Sequence, residues 1–137
     1  MQTGLYLCTP EEYEYQYENV EIIKGESESF ADYLHGGCEV FAITLNNMFV
    51  YPIYVLLDDY GDFVHAFCMQ DFKGVPHFID ARGITNNFDM FFEEYQDFAT
   101  YPTYVRSNLD NIHTTKLDIE RAAQFIRNRL NYYTFID

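Results

Sequence analysis

Three side chains suited to nucleophilic catalysis occur in order along the chain: the thiol of Cys38, the imidazole of His65 and the carboxylate of Asp80. A thiol attacks carbonyls as its thiolate, and a histidine that takes up its proton supplies that form. A carboxylate beside the imidazole then fixes which ring nitrogen carries hydrogen. Gly36 and Gly37 precede Cys38, and the apolar run CEVFAITLNNMF starts at it. That places the thiol at or just before a helix N-terminus, where unpaired N–H groups and the helix dipole favour an anion. Taken singly, each residue has an ordinary explanation: a small buried hydrophobe, a structural histidine, an aspartate that makes a turn. The ordered set points to chemistry.

The elements that must position these groups are legible in outline. Phe41, Ala42, Leu45, Met48 and Phe49 fall on one face of a helix that Pro52 ends. Residues 53–57 form a continuous apolar run of strand type, closed by the turn Asp58-Asp59-Tyr60-Gly61-Asp62. Residues 63–70 read as a second strand, residues 71–74 as a turn and residues 76–81 as a third strand. Alternation puts His65 on one face with Phe63, Phe67 and Met69, while Ala66 and Cys68 face the other way. If Asp71 and Gly74 close a two-residue turn, paired positions sum to about 145 and His65 lies opposite Asp80. A bulged turn moves the partner by one and keeps the two within reach. The segment NNFDMFFEEYQDFA, residues 86–99, reads as helical, and Pro102 and residues 108–111 interrupt regular structure beyond it. Thr115 caps a last helix striped by Ile119, Ala122, Ala123, Ile126 and Leu130. A short helix or turn at 27–34 and a strand at 13–18 complete the reading. The class is α+β, a single domain over residues 1–137 with no internal repeat or linker.

The run Gly36-Gly37-Cys38, with Phe41, Ala42 and Leu45 along the helix, resembles the nucleophile helix of papain-like and transglutaminase-like cysteine enzymes. His65-Ala66-Phe67 and Ile79-Asp80-Ala81-Arg82-Gly83 are similar to their histidine and aspartate strands. The likeness spans about residues 38–83 and keeps the family order of Cys, His, then Asp. It implies a papain-like/transglutaminase-like core with the nucleophile helix packed on an antiparallel sheet. It also implies a thiol-dependent amide or ester hydrolase or acyl transferase with a protein or peptide substrate. Cys38 is then the nucleophile, His65 the base and later the acid, and Asp80 the orienting group. Papain-like peptidases place a Gln shortly before the nucleophile, but here only Gln2 and Gln16 precede Cys38, and Asp32 stands six residues ahead of it. An oxyanion hole would use the Cys38 N–H with Tyr33 or His35.

Competing chemistry is weaker. His35 with Cys38 and His65 with Cys68 are two H-x2-C pairs, but an i, i+3 pair on a strand points to opposite faces and does not converge on zinc. His77 falls on the face opposite Asp80, and His113 in a loop. No phosphate-binding glycine loop is present, and the aspartates at 58–62 lack the spacing of a calcium loop. No cofactor or metal is expected.

Eight basic and 22 acidic residues give a net charge of −14, which excludes binding to nucleic acid by phosphate neutralisation and adhesion to an anionic membrane. Residues 1–81 carry 14 carboxylates against Lys24 and Lys73, and Lys116, Arg121, Arg127 and Arg129 cluster near the end. No run of apolar residues is long enough to span a bilayer, and the N-terminus lacks the basic region of a signal peptide. Three cysteines, Cys8, Cys38 and Cys68, are too few for a disulfide scaffold. These features read as a soluble cytoplasmic protein. The acidic, Tyr-rich segment 1–34 supports an alternative to catalysis: an acidic binding or inhibitor protein on the same scaffold, holding a basic partner or imitating nucleic acid.

Overall fold

The structure, a computed structural model, describes residues 4–6, 37–109 and 114–128. The expected strand at 13–18, the helix or turn at 27–34, and Cys8, Asp32, Tyr33, His35, His113 and Leu130 lie outside the described residues. The fold is α+β: helices packed on an open antiparallel sheet. Strand β1 is Gly4–Tyr6, helix α1 is Cys38–Phe49, and β2, β3, β4 and β5 are Ile53–Leu57, Phe63–Phe72, Val75–Asp80 and Gly83–Thr85. Helix α2 is Phe88–Phe92, succeeded by a 3-10 turn at Glu93–Tyr95, then β6 at Thr103–Arg106 and α3 at Lys116–Asn128. The sheet order is β1-β5-β4-β3-β2-β6. No helix among the described residues is long and apolar enough to cross a membrane.

Helix α1 keeps the expected bounds because its apolar positions form one stripe. Cys38, Phe41, Ala42 and Leu45 are buried, and Val50 ends the helix in the left-handed region at φ 62° before Pro52. Helix α3 begins at a reciprocal cap in which Thr115 Oγ1 accepts the Asp118 N–H and Asp118 Oδ2 accepts that of Thr115. It buries Ala122, Phe125 and Ile126, so Phe125 joins the stripe and meets Phe41 edge-on at 5.8 Å.

These two helices cover one face of the sheet, over Ile53, Val55, Ala66, Cys68, Ile79 and Ala81. The other face carries Leu56, Phe67, Phe78, Phe91, Phe92, Tyr95 and Ala99. Strand β2 is therefore covered on both sides, which is why residues 53–57 show no polar alternation.

The expected helix at 86–99 is cut to α2 and the 3-10 turn. Asn87 caps it by accepting the Met90 N–H, and Phe91, Phe92, Tyr95 and Ala99 must all face one sheet. Their i, i+1, i+4, i+8 spacing is the helical stripe the sequence shows, and the chain keeps that face inward while tightening into the 3-10 turn after Phe92. Strands β5 and β6 were not anticipated, since three or four residues are too short for a period to show.

The hairpin register also departs from expectation. Lys73 and Gly74, at φ 56° and 81°, form the turn by themselves, and Phe72 pairs with Val75. Two successive positive φ values mark the type I′ turn that suits the twist of a hairpin. Paired positions thus sum to 147, as in Cys68 with Ile79, two more than the expected sum. Because side chains alternate with period two, a slip of two leaves every residue on its expected face. An exception sits at the far end, where a bulge near Leu56 and Leu57 leaves Phe63 47% exposed.

Nothing lies within 4 Å of a Cβ added at Gly74, so a substitution there meets only backbone strain. We expect Gly74→Ala to lower stability by about 1–2 kcal/mol and Gly74→Asn by less, since Asn tolerates the left-handed region. Urea midpoints check this, and equal losses in the two variants would refute it.

Candidate active site

Strand β3 carries His65 and the hairpin β4–β5 carries Asp80. Both side chains are buried, and His65 Nε2 lies 3.1 Å from Asp80 Oδ2. In the observed register they are diagonal neighbours, close enough for an imidazole and a carboxylate to meet. The contact puts the imidazole proton on Nε2, donated to Asp80, and leaves Nδ1 as the basic nitrogen. Tyr95 stacks on His65 with ring centroids 4.7 Å apart.

Asp80 also closes the turn into β5. Its Oδ1 accepts the Arg82 N–H at 2.9 Å, as an aspartate before a tight turn does. The Arg82 side chain returns to the same carboxylate, with Nη2 2.7 Å from Oδ2 and Nε 3.2 Å from each oxygen. Nη2 further donates to the Phe91 carbonyl at 3.1 Å, and the guanidinium lies 4.7 Å from the Phe91 ring centroid. Burial by itself would raise the Asp80 carboxyl. The Arg82 charge and the His65 hydrogen bond outweigh it and hold the group well below the usual carboxylate range.

Cys38 opens α1 with Gly37 as N-cap, so its own N–H is among those that a helix leaves without an internal acceptor. Its sulfur points at the edge of β3. Met69 N–H bonds Pro52 O on the β2 side, and successive N–H groups of a strand aim at opposite edges, so Ala66 N–H aims at the β4 side. The β3–β4 ladder ends at Cys68 with Ile79, while on its other edge β4 still pairs Asp80 with Gly83. Cys38 Sγ occupies the vacated position and accepts Ala66 N–H at 3.5 Å. The thiol therefore lies one peptide unit from His65.

The sulfur and the imidazole are not joined. The Cys38 thiol donates to Glu39 Oε1 at 3.4 Å, and among the described residues no hydrogen bond links it to His65. Its side chain packs with the core beneath α1, whereas the imidazole packs with Phe67, Phe91 and Tyr95 on the other face. Burial, with the nearby Glu39 and Asp80 charges, pushes the thiol up to about 12, against the smaller opposing effect of the Ala66 N–H. In this conformation Cys38 is a protonated thiol.

Iodoacetamide should accordingly modify Cys38 slowly at neutral pH, with a rate still climbing at pH 9.5, since only the thiolate reacts. Glu39→Gln removes one adjacent carboxylate. A thiol pKa lower by about one unit gives tenfold more thiolate of somewhat lower nucleophilicity, so the rate at pH 8 should rise about threefold. A rate plateau near neutral pH, or no response to Glu39→Gln, would contradict this arrangement.

The remaining expected residues separate. Cys68 is buried under α1, its thiol donating to Ala42 O at 3.5 Å, on the face away from the His65 imidazole. Among the described residues no group of three or more His, Cys, Asp or Glu could hold a metal ion. His77 lies on the face opposite Asp80, against the Phe72 ring. In the turn at 58–62, Asp58 Oδ1 accepts the Tyr60 and Asp62 N–H groups at 2.8 Å, and Asp59 holds Thr100. The proposed oxyanion partners Tyr33 and His35 lie outside the described residues. Sequence reasoning missed Arg82, Tyr95 and Glu39 as parts of the site. The only signal for Arg82 was a cation two residues after the aspartate.

No family model, curated protein or solved structure matches the chain.

Proposed function

We propose that the chain is a thiol-dependent acyl-transfer domain of papain-like or transglutaminase-like type, a hydrolase or transferase acting on a protein or peptide amide or ester. The observation that carries this reading is the seating of Cys38 Sγ against the amide just after His65, with His65 hydrogen-bonded to Asp80. A helix N-terminal thiol, a strand imidazole and an orienting carboxylate are thus gathered at one place in the fold. Because the thiol is protonated, proton transfer must accompany attack rather than precede it. The Sγ–H proton passes to His65 Nδ1 while sulfur bonds the carbonyl carbon and the C=O electron pair moves to oxygen. The oxyanion then collapses, the imidazolium protonates the leaving nitrogen or oxygen, and a thioester remains. Water or an amine, deprotonated by His65, attacks that thioester, and the departing sulfur regains its proton. To begin, the sulfur must leave Glu39 and meet the imidazole at the edge of β3.

The experiment is acyl capture from 4-nitrophenyl acetate, read as an acetyl adduct on Cys38 by mass spectrometry and as nitrophenolate release. The wild type should acetylate at Cys38, and Cys38→Ser should not accumulate a thioester. Equal nitrophenolate release from both proteins would end the proposal.

A second reading is favoured by a specific observation. Tyr60, Phe98 and Tyr101 are exposed on loops that Asp59 ties together through Thr100, beside Asp58 and Asp62. Exposed tyrosines set among carboxylates suit a surface that grips a basic protein, with Cys38 a structural thiol. On that reading binding falls steeply with salt and ignores Cys38→Ser.

A further inference from the structure

Arg82 has more to do than close a turn. Its backbone N–H and the Nε–Nη2 edge of its guanidinium engage Asp80, and the same Nη2 reaches the Phe91 carbonyl of α2. The guanidinium lies 4.7 Å from the Phe91 ring centroid and 5.9 Å from that of Tyr95, the ring stacked on His65. One side chain therefore ties together the carboxylate that His65 donates to and the segment that roofs the imidazole. A planar fork with several fixed donors can make these contacts at once, and an ammonium cannot.

Resting on the acyl-transfer reading, we infer that Arg82 is a positioning residue: it clamps Asp80 between His65 and α2, so that the imidazole proton stays on Nε2 and Nδ1 serves as the base. Arg82 itself touches neither the sulfur nor the reacting carbonyl. It also sets a fixed positive charge against the Asp80 carboxylate, with Nη2 2.7 Å from Oδ2. The charged or titratable groups that face His65 among the described residues are Asp80 on β4, Arg82 on the β4–β5 turn and Tyr95 on the 3-10 turn, with Cys38 and Glu39 across the edge of β3.

The test uses the full chain labelled with 15N-histidine, the His65 signals being assigned by their loss in His65→Gln. Wild-type His65 should appear as the Nε2–H tautomer. In Arg82→Gln that tautomer should mix with the other, and the midpoint of the His65 titration should rise by about one pH unit, as removal of an adjacent cation requires. Arg82→Lys keeps the charge and loses the fork. Its midpoint should return to the wild-type value while acetylation of Cys38 by 4-nitrophenyl acetate falls about tenfold, an effect of orientation. An Nδ1–H tautomer in the wild type, or an Arg82→Gln protein with unchanged tautomer and midpoint, would overturn the inference. If Arg82→Gln does not fold, Arg82→Lys decides: wild-type acetylation in that variant overturns the role, and the tenfold loss supports it. The tautomer needs no turnover to be seen. A wild type that never acetylates Cys38 but shows the Nε2–H form and the Arg82→Gln shift refutes the acyl-transfer reading and leaves the clamp in place.

Discussion

Replacing His65 with alanine should cut the rate of Cys38 acetylation by 4-nitrophenyl acetate at pH 7.5 by about 100-fold or more, the usual worth of a positioned general base. The size stems from the state of the thiol. A cysteine whose ionisation is pushed up to about 12 holds almost no thiolate at neutral pH, so whatever removes its proton during attack controls the rate. The Ala66 N–H favours the anion but is outweighed by burial, and Glu39 opposes it. Raising the pH should partly restore the variant, because hydroxide does what the missing imidazole did, so its rate should climb to pH 9.5 without a plateau. The wild type should instead level off once His65 is neutral. A His65→Ala rate within threefold of wild type would mean that the imidazole takes no part. Cys38 would then be a buried structural thiol, and the acidic surface would be the place to look for function.

Asp80→Ala should destabilise the fold by about 3–5 kcal/mol, the largest loss expected here from replacing one polar side chain. The variant takes the Asp80 carboxylate from the Arg82 guanidinium, only 8% exposed, and the acceptor from His65 Nε2. Removing one partner of a buried ion pair is far more costly than the pair is worth, because the remaining charge stays desolvated. The pH dependence has a definite sign. The folded Asp80 carboxyl is held below its ordinary value of 3.8, so its stabilisation is complete above that value and is lost as pH falls through it towards the lower folded value. Urea titrations at pH 7 and pH 3 should therefore show wild type and Asp80→Ala converging at the acid end. A gap under about 1 kcal/mol at pH 7, or one that widens in acid, would show that Arg82 finds other partners in the variant.

The sequence was informative where structure depends on local pattern. The stripe from Phe41 to Phe49 set the extent of α1, Thr115 marked the start of α3, and alternation assigned the faces of β3. It was silent on β5 and β6, which are strands only because neighbouring strands offer them partners. It placed the β3–β4 turn one residue off, because a positive φ at Lys73 leaves no trace in composition, unlike one at glycine. Arg82 read as turn punctuation, since only folding brings α2 over it.

For the site, alignment of His65 with Asp80 on one face was determined by sequence, because side-chain direction has period two and survives any even slip of register. The start of α1 at Cys38 was equally local, set by the glycines before it and the apolar stripe after it. The surroundings of the thiol were decided by tertiary structure alone. The β3–β4 ladder stops at Ile79, leaving the Ala66 N–H without a strand partner, and the packed core beneath α1 carries the sulfur into that gap beside Glu39 rather than onto the imidazole. The same packing sets the charge states, since a thiol loses its proton less readily and a paired carboxylate more readily according to the solvent and partners that folding leaves each of them.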